Sequence, residues 1–199
     1  MTGAGDECWL KWELHMNLKR RRLLLGGVAL IAAPAAFAQQ CRVTPRDALG
    51  PFYVKGAPVQ ANLCASGTGG AQKLTVSGRV LGTPECAPLA GALVEVWQAD
   101  NRGDYTQVTA GKRDDPGCLL RASLTTDGGG RYRFETIVPG EYPGRPRHIH
   151  YRVSAKGHAT LVTQLYFAPE HSVAQELVVT AAPKDGGLAA NFDVTLVKA

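Results

Sequence analysis

Short apolar segments that alternate with turn residues constrain the fold of this chain more than any other feature. After residue 70, such segments recur at short intervals, and glycine, proline, aspartate or asparagine residues lie between them. No helical period persists over three turns in this region. We therefore expect an all-β fold, an antiparallel β-sandwich of about eight strands with an irregular N-terminal arm. The expected strands lie at residues 74–80, 93–97, 119–124, 132–136, 149–153, 161–167, 176–180 and 192–196.

The beginning of the chain has the pattern of an export signal. Residues 19–22 are basic, residues 23–33 are apolar, and residues 36–38 read Ala-Phe-Ala, a small-x-small cleavage signal. The apolar stretch is short for a membrane span, although an uncleaved anchor is the alternative. Because the arginines directly precede the apolar stretch, the signal resembles a twin-arginine signal, and an ordinary secretory signal is equally basic.

The export signal divides the chain into two parts. Residues 1–38 would be an N-terminal extension plus signal peptide, with Met16 as an alternative start. Residues 39–199 would form one exported domain, in the periplasm or outside the cell. The net charge of +5 is partly due to the signal, and no basic block follows residue 22, so we expect no nucleic-acid partner. We expect no stable membrane insertion after cleavage, and the sequence leaves a homo-oligomer open.

The cysteines after the signal are even in number, and export would place them in an oxidising compartment where disulfides persist. Four cysteines allow three pairings, and the sequence does not choose among them. Since no Cys-x-x-Cys occurs, a thiolate zinc site is not expected. The four residues are Cys41, Cys64, Cys86 and Cys118.

A short segment concentrates metal-ligand chemistry in the second half of the chain. Tyr142, Arg145, His148 and His150 lie within nine residues. If His148 and His150 belong to one strand, the period of two sends both imidazoles to the same face, where they form a natural metal chelate. The alternative is that a His-x-His pair merely happens to lie in a strand.

Two residues elsewhere in the chain add to this chemistry. Tyr105 ends the polar loop after the strand at 93–97, and Gln164 lies on the strand after the histidine pair. Two phenols and two imidazoles favour Fe(III), because phenolate is a hard anionic ligand and the ion lowers the phenol pKa. Zinc would more often use His with a carboxylate or cysteine. A copper site that recruits His158 or His171 is the alternative metal assignment.

The combination of segments resembles the intradiol ring-cleavage dioxygenases, the catechol and protocatechuate dioxygenase group. The matching pieces occur in the family's order and span nearly the whole exported part. They are GPFY at 50–53, VSGRV at 76–80, VEVWQADNRGDY at 94–105, TIVPGEYP at 136–143, RPRHIH at 145–150, and Gln164.

The resemblance implies a non-haem Fe(III) centre held by two tyrosines, two histidines and a solvent-derived fifth ligand. Carried over by position, Tyr105 and His148 would be equatorial ligands, and Tyr142 and His150 axial ligands. Tyr142 would leave the metal when an ortho-diphenol binds, and its phenolate would accept a substrate proton. The implied reaction is intradiol cleavage of a catechol-type ring with O2, which gives a cis,cis-muconate-type product.

The same resemblance assigns two catalytic residues beside the ligands. Arg145 would stabilise negative charge that develops in the ring, and Gln164 would orient a reacting oxygen. Each assignment has a structural alternative. Arg145 would otherwise be a surface charge, Gln164 an ordinary polar strand residue, and the two tyrosines loop residues packed on the sheet.

Other aromatic and imidazole side chains receive no chemical role. We expect Tyr53 and Trp97 to pack in the core or to form a pocket wall. The remaining residues, at strand or loop positions without a partner signal, are Tyr132, Tyr151, Tyr166, His158 and His171.

The chain departs from the family pattern at one informative place. Only five residues separate Tyr142 from His148, where the catechol and protocatechuate enzymes carry a longer insertion. A shorter segment indicates a more open site, and export favours lignin-derived or plant-derived catechols as substrates. The alternative function is a non-catalytic transthyretin-like sandwich module that binds a carbohydrate, a protein partner or a metal, since residues 74–97 alone fit such a module.

Overall fold

The computed structural model of the chain describes residues 41–65, 69–105, 117–142 and 144–199. The predicted export signal and the predicted boundary after residue 38 lie outside this part of the chain. Within it, the only helical element is a 3₁₀ turn at Gln175–Leu177, and no helix there is long and apolar enough to cross a membrane. The strands are β1 (Lys73–Gly82), β2 (Ala87–Pro88), β3 (Leu93–Gln98), β4 (Arg121–Thr125), β5 (Arg131–Ile137), β6 (His148–Ser154), β7 (Leu161–Phe167), β8 (Val178–Val179), β9 (Ala182–Lys184), β10 (Gly187–Asn191) and β11 (Val194–Leu196).

The strands form two sheets, which confirms the all-β sandwich. The five-stranded sheet has the order β4-β3-β6-β7-β8, and all of its pairs are antiparallel except β7 with β8. In the six-stranded sheet, the long strand β1 pairs with β5 and β2 in antiparallel fashion and with β10 and β11 in parallel fashion. Both sheets are therefore mixed rather than purely antiparallel.

The parallel pairs beside β1 come from the C-terminal strands, and one of these strands was not expected from the sequence. Strand β10 reads Gly-Leu-Ala-Ala-Asn, which contains no β-branched or aromatic residue. Its backbone pairs with Leu74 to Ser77 along β1, which supplies the hydrogen bonds that its own composition does not favour. Long-range pairing rather than local propensity places this strand.

The core lies between the facing sides of the two sheets. Val76 and Phe134 of the six-stranded sheet, and Ile149, Tyr151 and Leu165 of the five-stranded sheet, are all fully buried in one apolar cluster. Alternate residues of each strand supply it, as the period of two requires. Burying each such side chain is worth about 1.5–3 kcal/mol, so this layer provides most of the stabilisation.

The N-terminal arm, residues 41–64, connects the two sheets across the outer face of the five-stranded sheet. Its backbone bonds to Thr195 of β11, Val162 of β7, Ser123 of β4 and Glu135 of β5, in that order along the arm. Disulfides fasten both ends: Cys41 pairs with Cys86, and Cys64 with Cys118. The arm therefore covers a sheet face that would otherwise be open to solvent.

Candidate active site

Three neighbouring strands place the predicted site residues on the covered outer face. His150 of β6 lies opposite Trp97 of β3 and opposite Gln164 of β7, and His148 lies opposite Tyr166. Because side chains alternate along a strand, these residues share one face. The two imidazoles consequently lie side by side, as their spacing indicated.

The ring nitrogens of the histidine pair converge with a phenol oxygen. His148 Nδ1 lies 2.7 Å from the Pro146 carbonyl and donates its hydrogen there, which leaves Nε2 as an acceptor. That Nε2 lies 3.2 Å from His150 Nε2 and 3.3 Å from the Tyr105 hydroxyl. The structure thus brings together Tyr105, His148 and His150 from a loop and a strand.

The arrangement of these donors fits a shared metal ion. Ligands bonded to one ion at about 2.0–2.1 Å lie roughly 3 Å from each other when they are adjacent, which matches these separations. His150 Nδ1 is buried and makes no hydrogen bond of good geometry. In the described part of the chain, no three His, Cys, Asp or Glu side chains form a metal-binding group. A metal here would therefore depend on the phenols, and phenolate suits Fe(III).

Burial controls the protonation of these groups. It lowers the pKa of His150 to about 3, with further contributions from His148 and Arg145, and it also lowers the pKa of His148. Burial raises the pKa of the Tyr105 phenol well above its ordinary range. Both imidazoles are thus neutral near pH 7 and free to act as ligands. The phenol would ionise there only beside a strong positive charge.

The second tyrosine lies beside the first in an aromatic cluster. Phe52 of the arm stacks on Tyr105 with ring centroids 4.1 Å apart, and the Tyr142 ring stands edge-on to both, at 5.6 Å and 5.8 Å. The two loops approach closely at Gly103, whose φ is +88° and where a Cβ would lie 2.0 Å from the Glu141 carbonyl oxygen. A glycine is required there for Tyr105 and Tyr142 to meet.

Trp97 and the arm enclose His150. The Trp97 ring stacks on the imidazole with centroids 4.8 Å apart and planes within 2°. On the arm, Gly50 has φ +71°, and a Cβ there would lie 3.0 Å from His150 Cε1. Tyr53 packs on Trp97 at 5.0 Å. Tyr53 and Trp97 are wall residues, as expected.

The structure also joins Arg145 and Gln164 next to the histidines. Arg145 Nη2 donates to Gln164 Oε1 at 3.0 Å and to the Tyr166 hydroxyl at 2.6 Å. Tyr166, which carried no partner signal in the sequence, thus has partners, and its hydroxyl also contacts Asp47 at 2.8 Å. Its position two residues after Gln164 was the available signal. Nothing local in the sequence indicated Asp47.

The other residues without an assigned role lie elsewhere. The Tyr132 hydroxyl donates to the Phe192 carbonyl, and Tyr151 is buried in the core. His158 packs against Gly82 of the six-stranded sheet, and His171 is exposed. Neither His158 nor His171 adjoins the histidine pair, so a copper site built with them has no support in the structure.

Comparison with known proteins identifies the family of the chain. Residues 48–196 match the family model described as Dioxygenase. The chain is 39% identical to catechol 1,2-dioxygenase 2 of Acinetobacter lwoffii over 142 residues, which cover 61% of this chain and 50% of that protein. It is 34% identical to the hydroxyquinol 1,2-dioxygenase of a Rhizobium species over 190 residues, which cover 83% of this chain and 60% of that protein. The chain belongs to the intradiol ring-cleavage dioxygenase family.

Solved structures show the same fold. One of them is the dioxygenase domain of a dioxygenase–carbohydrate-binding fusion from Streptomyces sp. SirexAA-E, with a TM-score of 0.68 and 36% identity. The superposition covers 79% of this chain and 100% of that domain. For the catechol 1,2-dioxygenase of Acinetobacter sp. ADP1 the TM-score is 0.70 at 29% identity, with 78% of this chain and 63% of that one covered. The chain spans 50–60% of the length of the two curated relatives named above.

Proposed function

We propose that this protein is an Fe(III)-dependent dioxygenase that cleaves the ring of an ortho-diphenol between its two hydroxylated carbons. O2 is the second substrate, and a cis,cis-muconate-type acid is the product. The observation that carries the proposal is the convergence on His148 Nε2, which lies 3.2 Å from His150 Nε2 and 3.3 Å from the Tyr105 hydroxyl. Membership of a family whose curated relatives are catechol and hydroxyquinol dioxygenases supports the reaction type.

Tyr105, Tyr142, His148 and His150 would hold the ferric ion. When bound, the ion would draw electron density from a catecholate and make a ring carbon reactive towards O2. Tyr142 is half-buried and borders an open cavity of about 600 Å³ that Arg102, Glu141 and Glu170 also line. A phenolate at this border is well placed to accept a proton from an entering diphenol.

Arg145 and Gln164 would act on the substrate rather than on the metal. Arg145 lines the same cavity, and a cation held there by Gln164 and Tyr166 would stabilise negative charge as it develops in the ring. Gln164 is fully buried and lies opposite His150, within reach of an oxygen bound between them. Trp97 and Phe52 exclude water from two sides, which strengthens both effects.

The substrate class that we propose is a plant-derived or lignin-derived catechol met outside the cytoplasm. Two disulfides agree with an oxidising compartment. The open cavity beside Tyr142 suits a ring that carries a substituent. One structural relative, of which this chain covers 100%, is a dioxygenase domain from a dioxygenase–carbohydrate-binding fusion of a cellulolytic bacterium.

Oxygen uptake by the purified, iron-loaded protein tests the proposal. The panel comprises catechol, protocatechuate, hydroxyquinol and larger ortho-diphenols, with mass spectrometry of the product. We expect uptake, a red-brown visible band from tyrosinate-to-iron charge transfer, and a shift of that band when a catechol is added without O2. A colourless protein with stoichiometric zinc and no uptake on any diphenol would instead support a non-catalytic sandwich module.

A further inference from the structure

A chain of hydrogen bonds leads from the proposed site to the N-terminal arm. Arg145 Nη2 donates one hydrogen to Gln164 Oε1 at 3.0 Å and the other to the Tyr166 hydroxyl at 2.6 Å. The Tyr166 hydroxyl in turn donates to Asp47 Oδ2 at 2.8 Å. Tyr166 is fully buried, so its hydroxyl depends on these partners for the hydrogen bonds it would otherwise make with water.

The Tyr166 hydroxyl has two acceptors within reach, Asp47 Oδ2 at 2.8 Å and Gln164 Oε1 at 3.0 Å, and we assign its one hydrogen to the nearer, charged oxygen. Asp47 only accepts, because its carboxylate carries no hydrogen: Oδ1 takes the Ala48 N–H at 2.6 Å, and Oδ2 takes the Tyr166 hydrogen. With its hydrogen committed to Asp47, the Tyr166 oxygen presents lone pairs to Arg145 and holds Nη2 in place. Among the described residues, Nε and Nη1 of Arg145 have no hydrogen-bond partner. These groups remain available for a substrate.

The arm also orients the Gln164 amide. Gln164 Nε2 donates to the Ala48 carbonyl at 2.7 Å, while Oε1 accepts from Arg145. The arm is held at this point by the Asp47 N–H, which donates to the Val162 carbonyl of β7 at 3.0 Å. The arm is therefore fixed at Asp47 and Ala48. The Ala48 carbonyl aligns the Gln164 side chain, and the Asp47 carboxylate aligns the Arg145 side chain through the Tyr166 hydroxyl.

We propose that Tyr166 and Asp47 are positioning residues that hold Arg145 and Gln164 in their working orientation for the ring cleavage. This inference rests on the proposed function. Neither Tyr166 nor Asp47 would contact the metal or the substrate. Their effect would pass through the Arg145 guanidinium, since a displacement of about 1 Å in a catalytic group costs on the order of 100-fold in rate.

The kinetic test uses Tyr166→Phe, which removes only the hydroxyl. We expect kcat for the best diphenol to fall about 10- to 100-fold with little change in KM, because the lost alignment matters most when charge develops. Asp47→Ala should show a similar loss. Asp47→Asn keeps one acceptor oxygen, so its kcat should be higher than that of Asp47→Ala and lower than that of the wild type. In an Arg145→Ala background, Tyr166→Phe should change kcat by less than about twofold, since the residue it positions is gone.

Tyr132→Phe is the matched control. It removes a buried hydroxyl of β5 in the six-stranded sheet that bonds to the Phe192 carbonyl, whereas the proposed site lies on the five-stranded sheet. We expect this variant to lower the melting temperature and to leave kcat and KM unchanged. If Tyr166→Phe lowers kcat equally in the wild-type and Arg145→Ala backgrounds, or no more than Tyr132→Phe does, the positioning role is wrong.

Crystal structures of the wild-type and Tyr166→Phe proteins without added metal provide a readout that does not depend on activity. We expect the Arg145 guanidinium to move or to lose order in the variant, with the β7 backbone unchanged. A guanidinium that superposes on that of the wild type would overturn the inference. Absence of oxygen uptake by the wild-type protein would overturn the proposed function, and the crystallographic comparison would still judge the positioning.

Discussion

Strands β6 and β7 each have two buried faces, and the two faces have opposite chemistry. The inner face carries Ile149, Tyr151 and Leu165, and the outer face carries His148, His150 and Gln164, all of them nearly or completely buried. Apolar side chains of the second sheet cover the inner face, whereas the arm covers the outer face. Most of the buried polar groups there bond to one another or to the arm backbone, which offsets the cost of burying them, and His150 Nδ1 is an exception. Burial alone therefore does not separate core from site.

Replacement of an outer-face ligand should have the largest effect. We expect His150→Ala to lower kcat/KM by more than about 1000-fold, because the ion would lose a ligand and its place beside Tyr105. Iron content and the visible band should fall with it, and circular dichroism should show an intact sandwich. Asn191→Ala, at the end of β10, is the surface control. Full iron loading and full activity of His150→Ala would remove His150 from the ligand set.

Truncation of an inner-face residue on the neighbouring strand β7 should lower stability and leave iron binding intact, the opposite of His150→Ala. Leu165 is fully buried between Gln164 and Tyr166. We expect Leu165→Ala to lower the free energy of unfolding by about 2–5 kcal/mol through lost burial and a cavity. The folded fraction should still bind iron and show the visible band, measured with chemical denaturation beside iron analysis. Loss of iron without loss of stability would mean that the two faces are not independent.

Removal of a disulfide tests how strongly the outer face depends on the arm. The double variant Cys41→Ser with Cys86→Ser releases the start of the arm, which precedes Asp47, and the bond closes a separation of 45 residues. We expect a loss of about 2–4 kcal/mol in unfolding free energy. The corresponding variant of Cys64 and Cys118 should lose a similar amount.

Activity distinguishes the two disulfide variants. Because Asp47 and Ala48 align Arg145 and Gln164, kcat of the folded protein should fall further in the Cys41 and Cys86 variant than in the other. Equal kcat values in the two variants would show that the arm holds its position through backbone bonds alone.

A polar contact on the outer face away from the histidines should matter less. The Tyr53 hydroxyl donates to Glu95 Oε1 at 2.9 Å, and Glu95 also pairs with Arg152. We expect Tyr53→Phe to cost about 1 kcal/mol of stability, since Glu95 keeps its arginine. Activity should stay within about twofold of wild type, because the ring on Trp97 is retained. A tenfold loss of kcat would place the hydroxyl in the reaction.

The smallest expected effect lies outside both faces, in the turn between β4 and β5. Asp127 accepts hydrogen bonds from the Arg131 and Gly129 backbone, which lower the pKa of its carboxyl. Because the pKa of Asp127 is lower in the folded state than in the unfolded state, its carboxylate stabilises the fold above the unfolded-state pKa. This stabilisation is lost as the pH falls through the folded-state pKa. Between pH 7 and pH 2, Asp127→Asn should lose slightly less stability than wild type. An identical pH dependence of the two melting temperatures would contradict this.

Local patterns in the sequence accounted for much of the fold and site. Apolar alternation predicted the eight main strands, and the spacing of His148 and His150 predicted their shared face, because both depend only on the period of two. Strand β10 was missed because Gly-Leu-Ala-Ala-Asn has no strand preference without β1 beside it. The network of Tyr166 with Asp47 was missed because its members lie 119 residues apart.

What the sequence determined by itself was therefore the set of chemical groups and the faces on which they lie. It specified a β-rich chain with two phenols, two imidazoles, an arginine and a glutamine in an order shared with a dioxygenase family. Only the tertiary structure decided the disulfide partners, the parallel strands beside β1 and the path of the arm that converts an outer sheet face into a buried site. These features depend on contacts between distant residues, which register and packing select and which no local pattern encodes.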